Sequence, residues 1–473
     1  MSAQGRFEDA VDAGLAVLAE LGESVRKNAD QSDMLIEFKK VKHLLNISLG
    51  QGGGASINEI ILGSPSIESN PSIDQQTAKT KIAAMRLIAQ LMRTTYQFNQ
   101  FLQRTINLRA IQLALSYGLS QYSISSFASY GVFLARRFMK IEEASAFGKL
   151  SLDLVERFGA MDEMPEMSRI YLIVYSYIFP CVRPVQSLIP ELRRAYDVAM
   201  RSGSIDVAMS NARQISHLLL SCDGMPSLEK SSEEVAEFTY QMKKHKQEIV
   251  GSCLPILQYF LILMNDGGVD PSILSGRVMN YESSLKEALS RSDLMTILEI
   301  NTIRLRLAFI FGKYDEAGAL VKDILRLHKK FPSIAYQSDI SGDVLYCGLT
   351  AAVLGCSNPH EAEEWHEIAE STLKNLDWNF GHRVELMKAE IAYFIYYDNE
   401  VALKHYKAAA DLAEKHRFPG ERAMALERMA MFCEVTFQTD LARGYYKEAE
   451  RAYREWGAIR KADHVACSLI EVS

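Results

Sequence analysis

Asn399-Glu400-Val401-Ala402-Leu403-Lys404-His405-Tyr406-Lys407-Ala408-Ala409 is answered forty residues later by Thr439-Asp440-Leu441-Ala442-Arg443-Gly444-Tyr445-Tyr446-Lys447-Glu448-Ala449. An earlier copy stands at Glu361-Ala362-Glu363-Glu364-Trp365-His366-Glu367-Ile368-Ala369. Three columns step together: Ala362, Ala402, Ala442; His366, Tyr406, Tyr446; and Ala369, Ala409, Ala449. A small residue, a bulky one four later and a small one three after that share one face of a helix. Small side chains let a neighbouring helix come close, and the bulky one fills the groove between them. A fixed step of this size is the mark of stacked helix pairs.

The remainder of the 473 residues agrees with helix. Apolar residues make up 48% and charged residues 23%, and only 12 prolines interrupt the chain. Fifty-two basic against 59 acidic residues leave a net charge of −7, which argues against nucleic acid as the partner. The seven cysteines are scattered with no C-x-x-C, as in a reduced, cytoplasmic protein. The apolar runs Ile170 to Val182 and Ile249 to Met264 are too short and too interrupted to cross a bilayer, so no membrane is expected.

Four segments are expected. Residues 1–50 hold N-terminal helices and a partial first repeat; 51–76 read as a Gly/Ser/Pro linker with one short helical turn inside. Degenerate helical repeats fill 77–300, and regular repeats of about 40 residues fill 301–473. Gly5-Arg6-Phe7-Glu8-Asp9-Ala10 nearly repeats Gly312-Lys313-Tyr314-Asp315-Glu316-Ala317. That hexapeptide is the turn and opening of a second helix, with glycine in the turn, acids at the helix start and Ala317 inward. The first helix of that unit would precede Gly5, which suggests a piece of a longer polypeptide. Asn358, followed by Pro359 and Glu361, is written as a helix cap, and Asp398 and Asp440 fall at the next two equivalent turns. The final helix, from Ala458, presents Ala462, Val465, Ala466 and Leu469 to something beyond Ser473 or to water.

At its repeat turns the chain resembles a tetratricopeptide (TPR) array with units longer than usual. A more specific resemblance rests on Met85-Arg86-Leu87-Ile88-Ala89-Gln90-Leu91, Leu115-Ser116-Tyr117-Gly118-Leu119-Ser120, Ala128-Ser129-Tyr130-Gly131 and Lys149-Leu150-Ser151-Leu152, with Tyr445 to Ala458 as a closing repeat. These are similar to the long helical region after the ATPase domain of multidomain signalling proteins classed as predicted ATPases. In such proteins a kinase-like domain and an AAA/STAND ATPase precede the region, and GAF and histidine-kinase domains follow it. The resemblance implies a sensor or interaction arm, with ATPase or kinase domains as partners in cis or in trans, and no catalytic residue to carry over.

No motif supplies chemistry. Gly50-Gln51-Gly52-Gly53-Gly54-Ala55-Ser56 lacks the G-K-[ST] of a phosphate loop. His360 and His366 stand roughly 240° apart around a helix and cannot share a face. His366-Glu367-Ile368-Ala369-Glu370 is not H-E-x-x-H, so this group reads as a solvated charged face. There is no G-x-S-x-G and no kinase signature.

The sequence thus leads to an all-α, TPR-like superhelical solenoid of antiparallel helix pairs. It has no catalytic, cofactor or metal residues to name, and Ala317, Ala362, Ala369, Ala402, Tyr406, Ala409, Ala442, Tyr446 and Ala449 set the packing of its repeats. It is read as no enzyme but a scaffold holding a protein or peptide in its concave groove. The alternative is a ligand-binding sensor or enzyme with a pocket across several helix pairs, which converging ionisable groups would favour.

Overall fold

The computed structural model describes residues 7–51, 56–159, 165–222, 227–265, 270–330, 340–355, 364, 367 and 377–471. Ala362, His366 and Ala369, like the Asn358 cap, lie outside them. The long elements described are all α-helices, and β geometry is confined to isolated bridges, Ser66 with Leu119 and Ser275 with Asn280. The chain forms two compact units, Met1–Phe179 with Val198–Ser204, and Pro180–Asp197 with Ile205–Ser473.

In the first unit α1 (Phe7–Glu20), α2 (Gln31–Gln51), α3 (Ile57–Gly63), α4 (Gln75–Phe98), α5 (Gln100–Tyr117), α6 (Ile124–Phe138), α7 (Ile141–Phe158) and α8 (Pro165–Tyr177) follow one another. The neighbours α4 and α5, and α6 and α7, pack as hairpins, while α1 lies on α4 and α2 on α5. α1 stops at Glu20 because Gly22 turns left-handed (φ 80°) and the Glu23 N–H donates to Leu18 O, a Schellman stop. Residues 56–74, read as linker, are fastened down. Ser56 and Glu59 form a capping box on α3, Asn58 Nδ2 donates to Ala146 O at 2.7 Å, and Asn70 Nδ2 donates to Tyr117 O at 2.8 Å.

The second unit runs on through α9 (Ile189–Arg201, shared with the first), α10 (Ile205–Ser221), α11 (Leu228–Lys244), α12 (Val250–Leu263), α13 (Tyr281–Arg291), α14 (Leu294–Ile310), α15 (Tyr314–Lys330) and α16 (Ile340–Val353). It ends in α17 (Asp377–Phe394), α18 (Asn399–Lys415), α19 (Pro419–Val435), α20 (Thr439–Trp456) and α21 (Ile459–Glu471). Consecutive helices from α14 to α21 pack on each other, and short turns join α14 to α15 and each helix from α17 to α21 to the next, which makes these antiparallel neighbours. α13 begins only at Tyr281. Before it, Asp270 accepts from the Ser272 N–H and hydroxyl, and Gln258 Oε1 from the Val278 N–H, so local side-chain bonds displace the helical ones.

The pairs are unequal in environment. α20 buries one stripe, Ala442, Tyr446, Ala449, Tyr453 and Trp456, as an outer helix should. α14 and α19 are buried almost all the way round. The two are brought together within the unit: Arg428 of α19 reaches Phe309 of α14 and Tyr314 of α15, Lys461 of α21 reaches Ile310 of α14, and α21 also packs back on α12. Of the apolar face of the last helix, expected to meet something beyond Ser473 or water, Ala462 and Val465 are buried within this unit, while Ala466 and Leu469 are half-buried.

Candidate functional site

Ala317, Ala402, Ala409, Ala442 and Ala449 are buried on α15, α18 and α20, and so are Tyr406 and Tyr446. Tyr406 packs against Phe432 of α19, ring centroids 5.6 Å apart, and its hydroxyl donates to Glu390 at 3.0 Å. Tyr446 donates to Glu434 at 2.6 Å. Asp398 caps α18 through the Val401 N–H at 3.0 Å. Asp440 does not repeat this role: the residue at the cap of α20 is Gln438, forty after Asp398, and Asp440 lies inside the first turn with its carboxylate in water.

The inner helices carry charge into the interior. Arg383 and Glu390 stand seven residues apart on α17, as Glu421 and Arg428 do on α19, about two helical turns, so each pair shares a face. Across the contact the signs are reversed. Arg383 Nε donates to Glu421 at 2.8 Å, and Arg428 meets Glu390 through two bonds of 2.7 Å. His382 also meets Glu421 while lying against the Phe418 ring, and the remaining reach of Arg383 goes to Ser221 O at 2.9 Å. A third buried cation, Lys461 of α21, donates to Glu427 and to Ile310 O, both at 2.6 Å. Burial works against the charged form of Glu421, but Arg383 and His382 outweigh it and hold the carboxyl at about 2. Burial pushes the Lys461 ammonium down, and Glu427 opposes it.

Ionisable groups therefore converge on the inner helices, and they do so as one another's partners. Where a groove lining was expected, the described residues of α14 and α19 are enclosed. Among the described residues no group of three His, Cys, Asp or Glu could hold a metal ion. Of the His360 to Glu367 group, only Glu364 and Glu367 are described, and both are exposed. No helix among the described residues is long and apolar enough to cross a membrane.

The outer surface carries a different feature, which the sequence reading missed. Counting back five from the inward alanine reaches the turn between the helices of a pair, and the residue there is left-handed each time. It is Met139 before Ala144, Gly312 before Ala317, Tyr397 before Ala402 and Phe437 before Ala442, with φ of 53°, 74°, 55° and 58°. Glycine takes this conformation freely, whereas a β-carbon there costs about 1 to 2 kcal/mol. Phe437 is 92% exposed and Tyr397 73%, so neither gains from burial what the backbone loses. Tyr396, Val401, Val435 and Leu441 are exposed beside them. Tyr393 and Phe432, near the ends of α17 and α19, have ring centroids 5.2 Å apart, so the two turns are neighbours. The step from Gly312 to Tyr397 and Phe437 was the available signal.

No family model and no curated protein matches the chain. Among solved structures, a Rap protein complexed with competence and sporulation factor is similar over 94% of this chain and 100% of its own, at 10% identity and a TM-score of 0.35. A signal transduction ATPase with numerous domains (STAND) and a tetratricopeptide repeat sensor, from Pyrococcus horikoshii, is similar over 83% of this chain at 10% identity and a TM-score of 0.36. This chain spans 54% of that ATPase. A circular tandem repeat protein of novel topology is similar over 93% of this chain and 96% of its own, at 13% identity and a TM-score of 0.15. Superpositions this loose add a likeness and no more; the chain is an all-α, TPR-like array of antiparallel helix pairs on the strength of its own hairpins.

Proposed function

We propose that this chain is a non-catalytic helical-repeat scaffold that mediates protein–protein interaction or regulation in signalling, as a cytoplasmic sensor arm does for a larger signalling ATPase. The alanine and tyrosine columns act as its packing spacers, with Ala362 and Ala369 continuing them. The observation that carries the reading is the pair of aromatic residues, Tyr397 and Phe437, held in left-handed turns and turned to water. Exposed apolar groups that also strain the backbone weaken the fold, and such groups are kept where a surface is used for binding. The partner surface is accordingly this turn edge rather than a concave groove, since the inner helices that would line the groove are enclosed. ATPase or kinase domains, in cis or in trans, are the partners that the family resemblance implies.

A photo-crosslinking amino acid at Phe437, compared with one at the exposed Glu448 further along α20, tests this in cells. A recurrent protein adduct at 437 and none at 448 is expected. Equal, diffuse adducts at both would remove the reading.

The ligand-sensor or enzyme reading draws on the ionisable groups that meet between α17 and α19. It requires the Glu390–Arg428 pair to open for a ligand. A small-molecule extract that raises the melting temperature of the wild-type chain, but not of Arg428→Met, would favour it.

A further inference from the structure

The turn edge has a chemical character that narrows its partner. Residues 396–401 read Tyr-Tyr-Asp-Asn-Glu-Val and residues 434–441 read Glu-Val-Thr-Phe-Gln-Thr-Asp-Leu: apolar, acidic and neutral polar residues, with no lysine or arginine. Asp398 is occupied as a helix cap and Glu434 accepts from Tyr446. Glu400 is exposed, and the Asp440 carboxylate, fully in water, has only a long contact of 3.7 Å to Arg443. The edge therefore offers aromatic and aliphatic surface flanked by negative charge that the fold leaves largely to solvent.

We infer that this edge docks a polypeptide segment that is itself basic and apolar. The inference rests on the scaffold reading above and adds the chemistry of the partner. An apolar face on the segment would cover Tyr397, Phe437 and their neighbours, and lysine or arginine beside it would meet Glu400 and Asp440. An acidic or uncharged segment of the same apolarity would bury the rings but leave the carboxylates desolvated without partners. Two docking turns one repeat apart suit an extended or helical segment long enough to reach both.

The full chain is titrated with two labelled amphipathic peptides of equal length and apolar spacing, one with lysine and one with glutamate at its polar positions. The lysine peptide should bind about tenfold or more tightly than the glutamate peptide. That binding should weaken by about tenfold in Tyr397→Gly/Phe437→Gly, a change that suits the left-handed turn and leaves the melting temperature equal or higher. If the glutamate peptide binds as well or better and the glycine variant weakens it, the edge is a docking site and the basic partner is wrong. If neither peptide responds to the glycine variant, the edge is no docking site and the scaffold reading loses its support as well. Sedimentation of the chain alone is the remaining arm. Self-association abolished by the same glycine pair would make a second copy the occupant and overturn the proposal.

Discussion

Glu390 of α17 and Arg428 of α19, 38 residues apart, are joined by two parallel bonds of 2.7 Å, and both side chains are buried. Arg383 and Glu421, also 38 apart, repeat the pair about two turns away on the same faces with the charges exchanged. Sliding α17 against α19 by about two turns would bring Glu390 opposite Glu421 or Arg383 opposite Arg428, like against like, so the two pairs together set the register of the inner helices.

Removing both partners should cost less than the two single removals added together. Glu390→Gln leaves Arg428 buried without its counter-charge, and it should lower unfolding free energy by about 3 to 5 kcal/mol, as should Arg428→Met. The double variant should lose clearly less than the sum. Urea denaturation of the four proteins gives the cycle, and additive losses would count against a register pair.

Acid should weaken the fold through Glu421. Its carboxyl is held at about 2 in the folded chain against an ordinary 4.5, so its contribution is complete above pH 4.5 and is lost as pH falls toward 2. Stability measured across that window should fall less steeply in Glu421→Gln, whose value at neutral pH will already be lower.

At the turns the direction of change should be opposite at two equivalent positions. Phe437→Gly relieves a left-handed β-carbon and gives up almost no burial, so it should be neutral to stabilising by about 1 kcal/mol. Gly312→Ala introduces the same strain and should cost about 1 kcal/mol. Thermal melts of the two variants decide it.

Gly420 opens α19 under the Trp456 ring. A β-carbon there would fall 2.7 Å from the indole, and the buried ring cannot swing away as a flexible chain end could. Gly420→Ala should therefore cost about 1 to 3 kcal/mol despite the better helix propensity of alanine. A neutral result in chemical denaturation would show that α19 and α20 can separate slightly without loss.

The alanine columns have a matched control. Ala402→Leu overpacks a buried position and should cost about 1 to 3 kcal/mol, whereas Lys404→Leu on the exposed side of the same helix should stay within about 0.5 kcal/mol. Equal effects would remove the spacer role of the column.

The forty-residue step was visible because the outer helices pack with small and aromatic residues, and these stand out against a polar background. The turn geometry was half visible in Gly312-Lys313-Tyr314-Asp315-Glu316-Ala317. Carrying its first position forward to Tyr397 and Phe437 would have found the apolar edge. The charge pairs were not seen because charged residues on a helix are read as its wet face, and because they recur at 38 rather than 40. The Asp440 cap was misplaced by two residues for a related reason: an acid near a helix start looks like a cap until the backbone shows which residue precedes the first turn.

The sequence by itself determined most of the helices and, in the C-terminal repeats, their pairing with neighbours, since hydrogen bonds within a helix, left-handed turns and small-residue faces are all local; in the first unit α1 lies on α4 and α2 on α5 instead. Which helices lose contact with water on every side was decided only by tertiary structure. When α17 packs on α19 and α21 on its neighbours, residues that would be solvated on a single hairpin find opposite charges at matching heights. A buried charge is stable only beside its partner, and no position along the chain reveals that partner before the helices pack.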